Sequence, residues 1–232
     1  MNIVAADWLP YCLPLRRPWQ TSRGSFSERH GRLRRLTADD GRSGWGDCAP
    51  LPEFGIGEAA ATAFAEESAA LDLAAQRAGL PLDAWLSGRA PLASVAVNAG
   101  FGPISTVDRN SLAQAAAAGF TVAKLKVGVA PVDDEIAALQ QLAATLPPAL
   151  RLRLDANRAW TIAVARRFVA AGAGLPIDGL EEPLADPTHA LLASLQAAAN
   201  FPLAIDESIR LLDTAFFRHP PVRRLVLKPA RH

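Results

Sequence analysis

An α/β fold is predicted for this chain: a parallel (β/α) barrel, incomplete at about six strands, behind a small α+β domain. Three observations predict it. From Pro91 onward, short β-branched runs alternate with alanine-rich helical stretches, which is the pattern of βαβ units and a parallel sheet. The first 90 residues read instead as strands followed by one long helix, so the chain divides into 1–90 and 91–232. Finally, a charged residue recurs at or near the C-terminal end of successive strands: Lys126, Asp155, Glu181, Asp206 and Lys228, separated by 29, 26, 25 and 22 residues.

The elements follow in order. Residues 32–38 and 43–48 form a hairpin, with ADDGR at its tip. A helix runs from Glu58 to Ala78, stopped by Gly79 and Pro81. In the second part ASVAVNAG (93–100) is a strand, followed by a helix near 106–118 with Gly119 after its end. VAKLKVG (122–128) is a strand and Val132 to Thr145 a helix closed by Pro147 and Pro148. LRLRLD (150–155) is a strand, with a helix opening at Thr161 and ending in the glycines at 172 and 174. IDGLEE (177–182) is a strand, after which Asp186 caps a helix whose first position is Pro187. PLAIDES (202–208) is a strand, a short helix lies near 211–217, and VRRLVLK (222–228) is the last strand.

Composition narrows the function classes. A formal net charge of +1 gives no field for nucleic acid or an anionic membrane. Two cysteines, Cys12 and Cys48, are too few for a disulfide framework or a zinc site of the usual spacing. The N-terminus lacks a basic start with an apolar run, and no apolar segment reaches membrane-spanning length, so a cytoplasmic protein is expected. No G-x-G-x-x-G follows the first strand and no G-x-x-x-x-G-K-[ST] occurs, which removes the nucleotide-binding sheets. Seven arginines crowd positions 16–35; most are expected to be solvated on a hairpin, and Trp45 and Trp160 to be packed inside.

One acid at a strand end is commonly a cap or a turn residue. Five charged groups at a strand–helix period belong on one rim of a barrel, where barrel enzymes keep their chemistry. Three carboxylates gathered there repel one another unless a cation sits among them. Oxygen ligands without His or Cys select a hard ion, Mg²⁺ first and Mn²⁺ as the alternative. Side chains alternate along a strand, so Lys124 and Lys126 point the same way and flank that ion, while Lys228 approaches from across the mouth. Neighbouring cations lower a lysine's pKa towards the operating pH, and the set suits removal of a proton α to a carboxylate. A Schiff-base role for the lysines leaves the three acids unexplained.

KLK (124–126), LDAN (154–157), LEEP (180–183), IDES (205–208) and LKP (227–229) resemble the enolase superfamily, in its muconate-lactonising branch. RLDANRAW (153–160) and GWGDCAPLPEF (44–54) are most similar to its o-succinylbenzoate synthase family of menaquinone biosynthesis. The resemblance implies an α+β capping domain over a (β/α)-barrel, with Asp155, Glu181 and Asp206 as Mg²⁺ ligands. It implies Lys126 as general base and then acid, Lys124 beside it lowering its pKa, and Lys228 as a cation opposite. Asn157, Glu182 and Glu207 are implied to support the site, and Arg23 or Arg29 to help retain a dicarboxylate. The implied reaction is a Mg²⁺-dependent dehydration to o-succinylbenzoate. The alternatives are racemisation or epimerisation of an N-acylamino acid or dipeptide, and a non-catalytic remnant or a subunit that needs a partner. A small-molecule carboxylate is the expected partner, with no nucleic acid and no membrane.

Only 142 residues follow position 90, where a complete barrel takes about 250, so a C-terminally truncated barrel is expected. PARH also lacks the glycine-containing continuation expected after LKP. An unclosed parallel sheet exposes two strand edges, through which self-association is expected.

Overall fold

The computed structural model describes residues 2–21, 24–211 and 213–230. It falls into two compact units, Met1–Val95 with Lys228–His232, and Ala96–Leu227.

The first unit is a three-stranded antiparallel sheet backed by helices. β1 (Ile3–Thr21) pairs with β2 (Gly24–Ala38), and β2 with β3 (Ser43–Cys48). The expected hairpin is β2–β3, with Gly41 at φ 84° in its turn. β1 is an addition: its prolines and arginines conceal a strand of 19 residues. α1 (Glu58–Arg77) buries Ala61, Ala65, Ala69 and Leu73, one side chain per turn, against β3. Gly44 and Gly46 are why the helix comes so close. A Cβ on Gly46 would stand 1.8 Å from the Ala65 carbonyl oxygen, and one on Gly44 2.1 Å from that of Ala69. A short helix, α2 (Leu82–Ser87), ends in Gly88.

The arginine stretch departs from expectation. The Arg32 and Arg34 guanidinium groups lie 4.6 and 5.0 Å from the Trp8 ring centroid, and Arg35 lies 5.7 Å from that of Trp45. Arg32 also pairs with Glu58, Arg34 with Glu66 and Arg35 with Asp7. These arginines tie strand to strand and sheet to helix. Trp45 is 41% exposed, not packed inside, and its ring carries the guanidinium of Arg35.

The second unit is a six-stranded sheet in the order β4-β5-β6-β7-β8-β9, parallel throughout. Its strands are β4 (Ala99–Pro103), β5 (Val122–Lys126), β6 (Arg151–Asp155), β7 (Ile177–Glu181), β8 (Leu203–Ile205) and β9 (Arg224–Leu225). Between them run α3 (Arg109–Ala117), α4 (Val132–Ala143), α5 (Ile162–Ala171), α6 (His189–Ala198) and α7 (Thr214–Arg218). One core joins Ala123, Leu125, Leu152 and Leu154 of the strands to Leu112, Leu139, Phe168 and Leu192 of the helices. Trp160 is buried there as expected, its ring 4.5 Å from that of Phe168.

Three expectations shift. The strand read at 93–100 begins at Ala99, which pairs with Ala123 of β5; Val95 and Val97 stay exposed. Asp186 does not cap α6. The Thr188 hydroxyl accepts the Leu191 N–H instead, and the helix opens at His189, two residues beyond Pro187. The last strand is limited to Arg224–Leu225, though the Val226 N–H still reaches the Ile205 carbonyl at 2.9 Å.

Candidate active site

β5 alternates cleanly: Ala123 and Leu125 are fully buried under the helices, and Lys124 and Lys126 take the other face. Parallel register then sets the strand ends in one row. Lys126 lies opposite Asp155, and Asp155 opposite Glu181. In a parallel pair, residues in register share a face, so three charged groups converge without any loop placing them.

The convergence is tight. Lys126 Nζ donates to Asp155 Oδ2 at 2.7 Å and to Asn157 Oδ1 at 2.6 Å. Lys124 Nζ lies 3.1 Å from Asp155 Oδ2 and also donates to Glu181 Oε2. Asp155 and Glu181 are almost completely buried, at 4% and 2% exposure. Burial works to raise the Asp155 carboxyl, but Lys124 and Lys126 outweigh it and hold it below its ordinary value. For Lys124 burial favours the neutral amine, and the two carboxylates overcome that and raise its pKa.

Asp206 follows β8 directly and is buried. Its N–H donates to Glu182 Oε1 at 2.5 Å. The same carboxylate accepts the Ser208 N–H and hydroxyl, both at 2.6 Å. Glu182 thus holds the turn that carries Asp206, from a backbone φ of 45°. A non-glycine residue there costs on the order of 1–3 kcal/mol and persists only where its surroundings fix it. Burial pushes its carboxyl up, with the donors from Ser208 and Asp206 pulling the other way. Asn157, at φ 44°, donates through Nδ2 to Glu207 Oε1 at 3.2 Å, linking Lys126 to the turn after β8. Asn adopts this conformation more readily than most residues.

Other candidates belong to the first compact unit or lie outside the described residues. Lys228 is half-buried three residues beyond β9 and groups with the first compact unit. Arg29 donates to the Pro50 and Ala49 carbonyl oxygens, both at 3.2 Å, an anchor within the first unit. Arg23 lies outside the described residues. Sequence reasoning missed Glu135. Its buried carboxylate accepts the N–H groups of Gly128, Val129 and Ala130 at 2.8, 2.9 and 3.1 Å, fixing the turn that follows Lys126. The available signal was the acidic run Asp133, Asp134, Glu135 in the first turn of α4.

The donor set fits a hard divalent cation. It is all oxygen and buried, and two of its three carboxylates, Asp155 and Glu181, are paired with ammonium groups. Among the described residues, Asp155, Glu181 and Asp206 do not all come within 4.8 Å of one another.

Fold and site together describe a β/α sheet with charged residues gathered at its strand ends. Residues 108–216 match the family model described as "Enolase C-terminal domain-like". The o-succinylbenzoate synthase of Thermosynechococcus vestitus is 31% identical over 88% of this chain and 68% of that protein. That of Pectobacterium atrosepticum is 33% identical over 87% and 65%. The chain therefore spans about two thirds of the length of these relatives. Among solved structures, o-succinylbenzoate synthase from Thermosynechococcus elongatus BP-1, complexed with Mg, has a TM-score of 0.62 at 31% identity, over 88% of this chain and 68% of that one. The L-Ala-D/L-Glu epimerase of Bacillus subtilis has a TM-score of 0.80 at 23% identity over 100% and 76%, a likeness of fold. The chain belongs to the enolase superfamily.

Proposed function

We propose that this chain carries the site of a Mg²⁺-dependent lyase that removes a proton α to a carboxylate and expels a hydroxyl, yielding o-succinylbenzoate for menaquinone biosynthesis in the cytoplasm. The observation that carries the reading is the pairing of Lys124 and Lys126, on one face of β5, with the buried Asp155 and Glu181. Identity of 31–33% to proteins named o-succinylbenzoate synthase supports the choice of reaction. Among the described residues, no helix is long and apolar enough to cross a membrane.

Asp155, Glu181 and Asp206 would hold Mg²⁺, which when bound supplies positive charge where the substrate carboxylate accumulates negative charge. Lys126, as the free amine, takes the α-proton. The carbon–oxygen bond to the hydroxyl then breaks, Lys126 returns the proton, and water leaves as the ring becomes aromatic. One residue acting on one face makes this a syn elimination. Lys124 pairs with the two buried carboxylates and keeps a positive charge beside the substrate carboxylate. Asn157 orients Lys126 by accepting from its ammonium. Lys228 is assigned the role of a second, stabilising cation, and Arg23 that of retaining a dicarboxylate.

The test is Mg²⁺-dependent consumption of the succinylated hydroxycyclohexadiene carboxylate by the purified chain, beside Lys126→Ala and Lys228→Arg. Turnover is expected to fall by about 10²–10⁴ in Lys126→Ala, to vanish in chelator, and to survive in Lys228→Arg, which keeps the charge but cannot act as a base. Loss in Lys228→Arg together with racemisation of an N-acylamino acid or dipeptide by the parent chain would replace the lyase by an epimerase. A folded chain without turnover would overturn the proposal.

A further inference from the structure

Outside the strand-end row, one cluster brings together side chains of a different chemical character. Cys12 and His30 are directly opposed across the β1–β2 ladder, and Glu28 lies two residues from His30 on the same face. Cys12 Sγ donates to Glu28 Oε2 at 3.3 Å, and His30 Nε2 lies 2.8 Å from Glu28 Oε1. One ligand atom from each of the three lies within 4.8 Å of the other two, the only such trio among the described residues. All three side chains are exposed, so an ion can reach them.

We propose that Cys12, Glu28 and His30 form a binding site for a borderline-soft divalent transition-metal ion, Zn²⁺ by preference. Zinc takes sulfur at about 2.3 Å and nitrogen or oxygen at about 2.0–2.2 Å, so its ligands stand roughly 3.3–3.7 Å apart around a tetrahedron. Glu28 stands 3.3 Å from the Cys12 sulfur and 2.8 Å from the His30 nitrogen, with all three ligand atoms within 4.8 Å of one another. Sulfur and imidazole ligands select against Mg²⁺, which keeps this site chemically separate from the all-oxygen set of the parallel sheet. On binding, the thiol proton leaves to solvent and the thiolate, carboxylate and neutral imidazole fill three positions; water fills the fourth.

The position in the sheet gives the site a purpose. β3 pairs with β2 only from Arg32 to Thr37. Beyond Arg32 the sheet is a two-stranded ribbon, and such a ribbon is marginally stable in water. The trio lies just past that boundary, with one ligand on β1 and two on β2. A bound ion clips the ribbon where the third strand ends.

The test uses the 232-residue chain, stripped with chelator, kept reduced, and titrated with Co²⁺ as a spectroscopic stand-in and with Zn²⁺ by equilibrium dialysis. A thiolate-to-cobalt charge-transfer band and one Zn²⁺ per chain at this site are expected. Cys12→Ser should abolish the band, and His30→Ala should weaken Zn²⁺ binding by more than about tenfold, the lower end of what even indirect partners of a metal site contribute. Asp155→Asn should leave the band intact. Zn²⁺ but not Mg²⁺ should also slow proteolysis of the ribbon. A band absent, or one that persists in Cys12→Ser, would overturn the site; so would Zn²⁺ binding lost in Asp155→Asn but not in His30→Ala.

Discussion

The two sheets handle charge in opposite ways. In the antiparallel sheet, arginines are dense in sequence and spread along exposed strands, where they stack on Trp8 and Trp45 and pair with Glu58, Glu66 and Asp7. In the parallel sheet the charged groups come from separate strands, yet Lys124, Lys126, Asp155 and Glu181 meet within hydrogen-bonding distance. Crowding in sequence is therefore a poor guide to chemistry here. Recurrence at strand ends is a good one, because parallel register turns a period into a place. The arginines instead do the work of a core, covering aromatic faces in a sheet with few large buried side chains.

That contrast can be broken or sharpened by substitution. The largest stability effect is expected in the parallel unit at Glu182→Ala, which strips the partner from the N–H of Asp206 and the N–H and hydroxyl of Ser208. A loss of about 3 kcal/mol is expected, read as a shift in urea midpoint; Glu182→Gln should recover part of it. A neutral result would mean that the turn after β8 holds itself. In the antiparallel unit the corresponding weak point is a helix contact. Gly46→Ala drives a methyl into the Ala65 carbonyl and should cost about 1–3 kcal/mol, seen in thermal melting.

Acid exposes the parallel unit next. Burial alone would raise the Asp178 carboxyl, but hydrogen bonds from Arg224 and Arg153 hold it below its ordinary value. A depressed carboxylate stabilises the fold above its unfolded value of about 3.9, and that stability disappears as pH falls through the folded value. Stability is thus expected to decline below about pH 4. Asp178→Asn should remove that portion of the decline and lower stability at neutral pH by on the order of 1 kcal/mol. The smallest effect belongs to the arginines. Arg34→Gln, losing the Trp8 contact and the Glu66 pair, should cost about 0.5–1 kcal/mol in the same melting assay. A change in turnover there would contradict the division of labour between the sheets.

Much of this was legible in the sequence, and the reason differs by element. α1, β5, α4, β6 and β7 lie where alternation or helical spacing and flanking Gly or Pro place them. The row Lys126, Asp155, Glu181 was readable because strand spacing and register are the same fact. β1 was not, since Pro10, Pro14 and charged side chains are tolerated on an edge strand and break the usual pattern. Thr188 was hidden by Asp186–Pro187, an equally good helix start two residues early. Glu135 was hidden because its function depends on the loop folding back over its own helix end. Arg29 donates to the carbonyls of Ala49 and Pro50, contacts that no spacing in the sequence announces.

The strand order of the parallel sheet is also the order of synthesis. Each strand after the first finds one neighbour already made as it leaves the ribosome, so the sheet can grow without waiting for a distant segment. At roughly 5–20 residues per second, Asp155 emerges a few seconds after Lys126, and Glu181 after it. The cations are thus in place before the acids they neutralise, and neither carboxylate need be buried alone while the chain is being born.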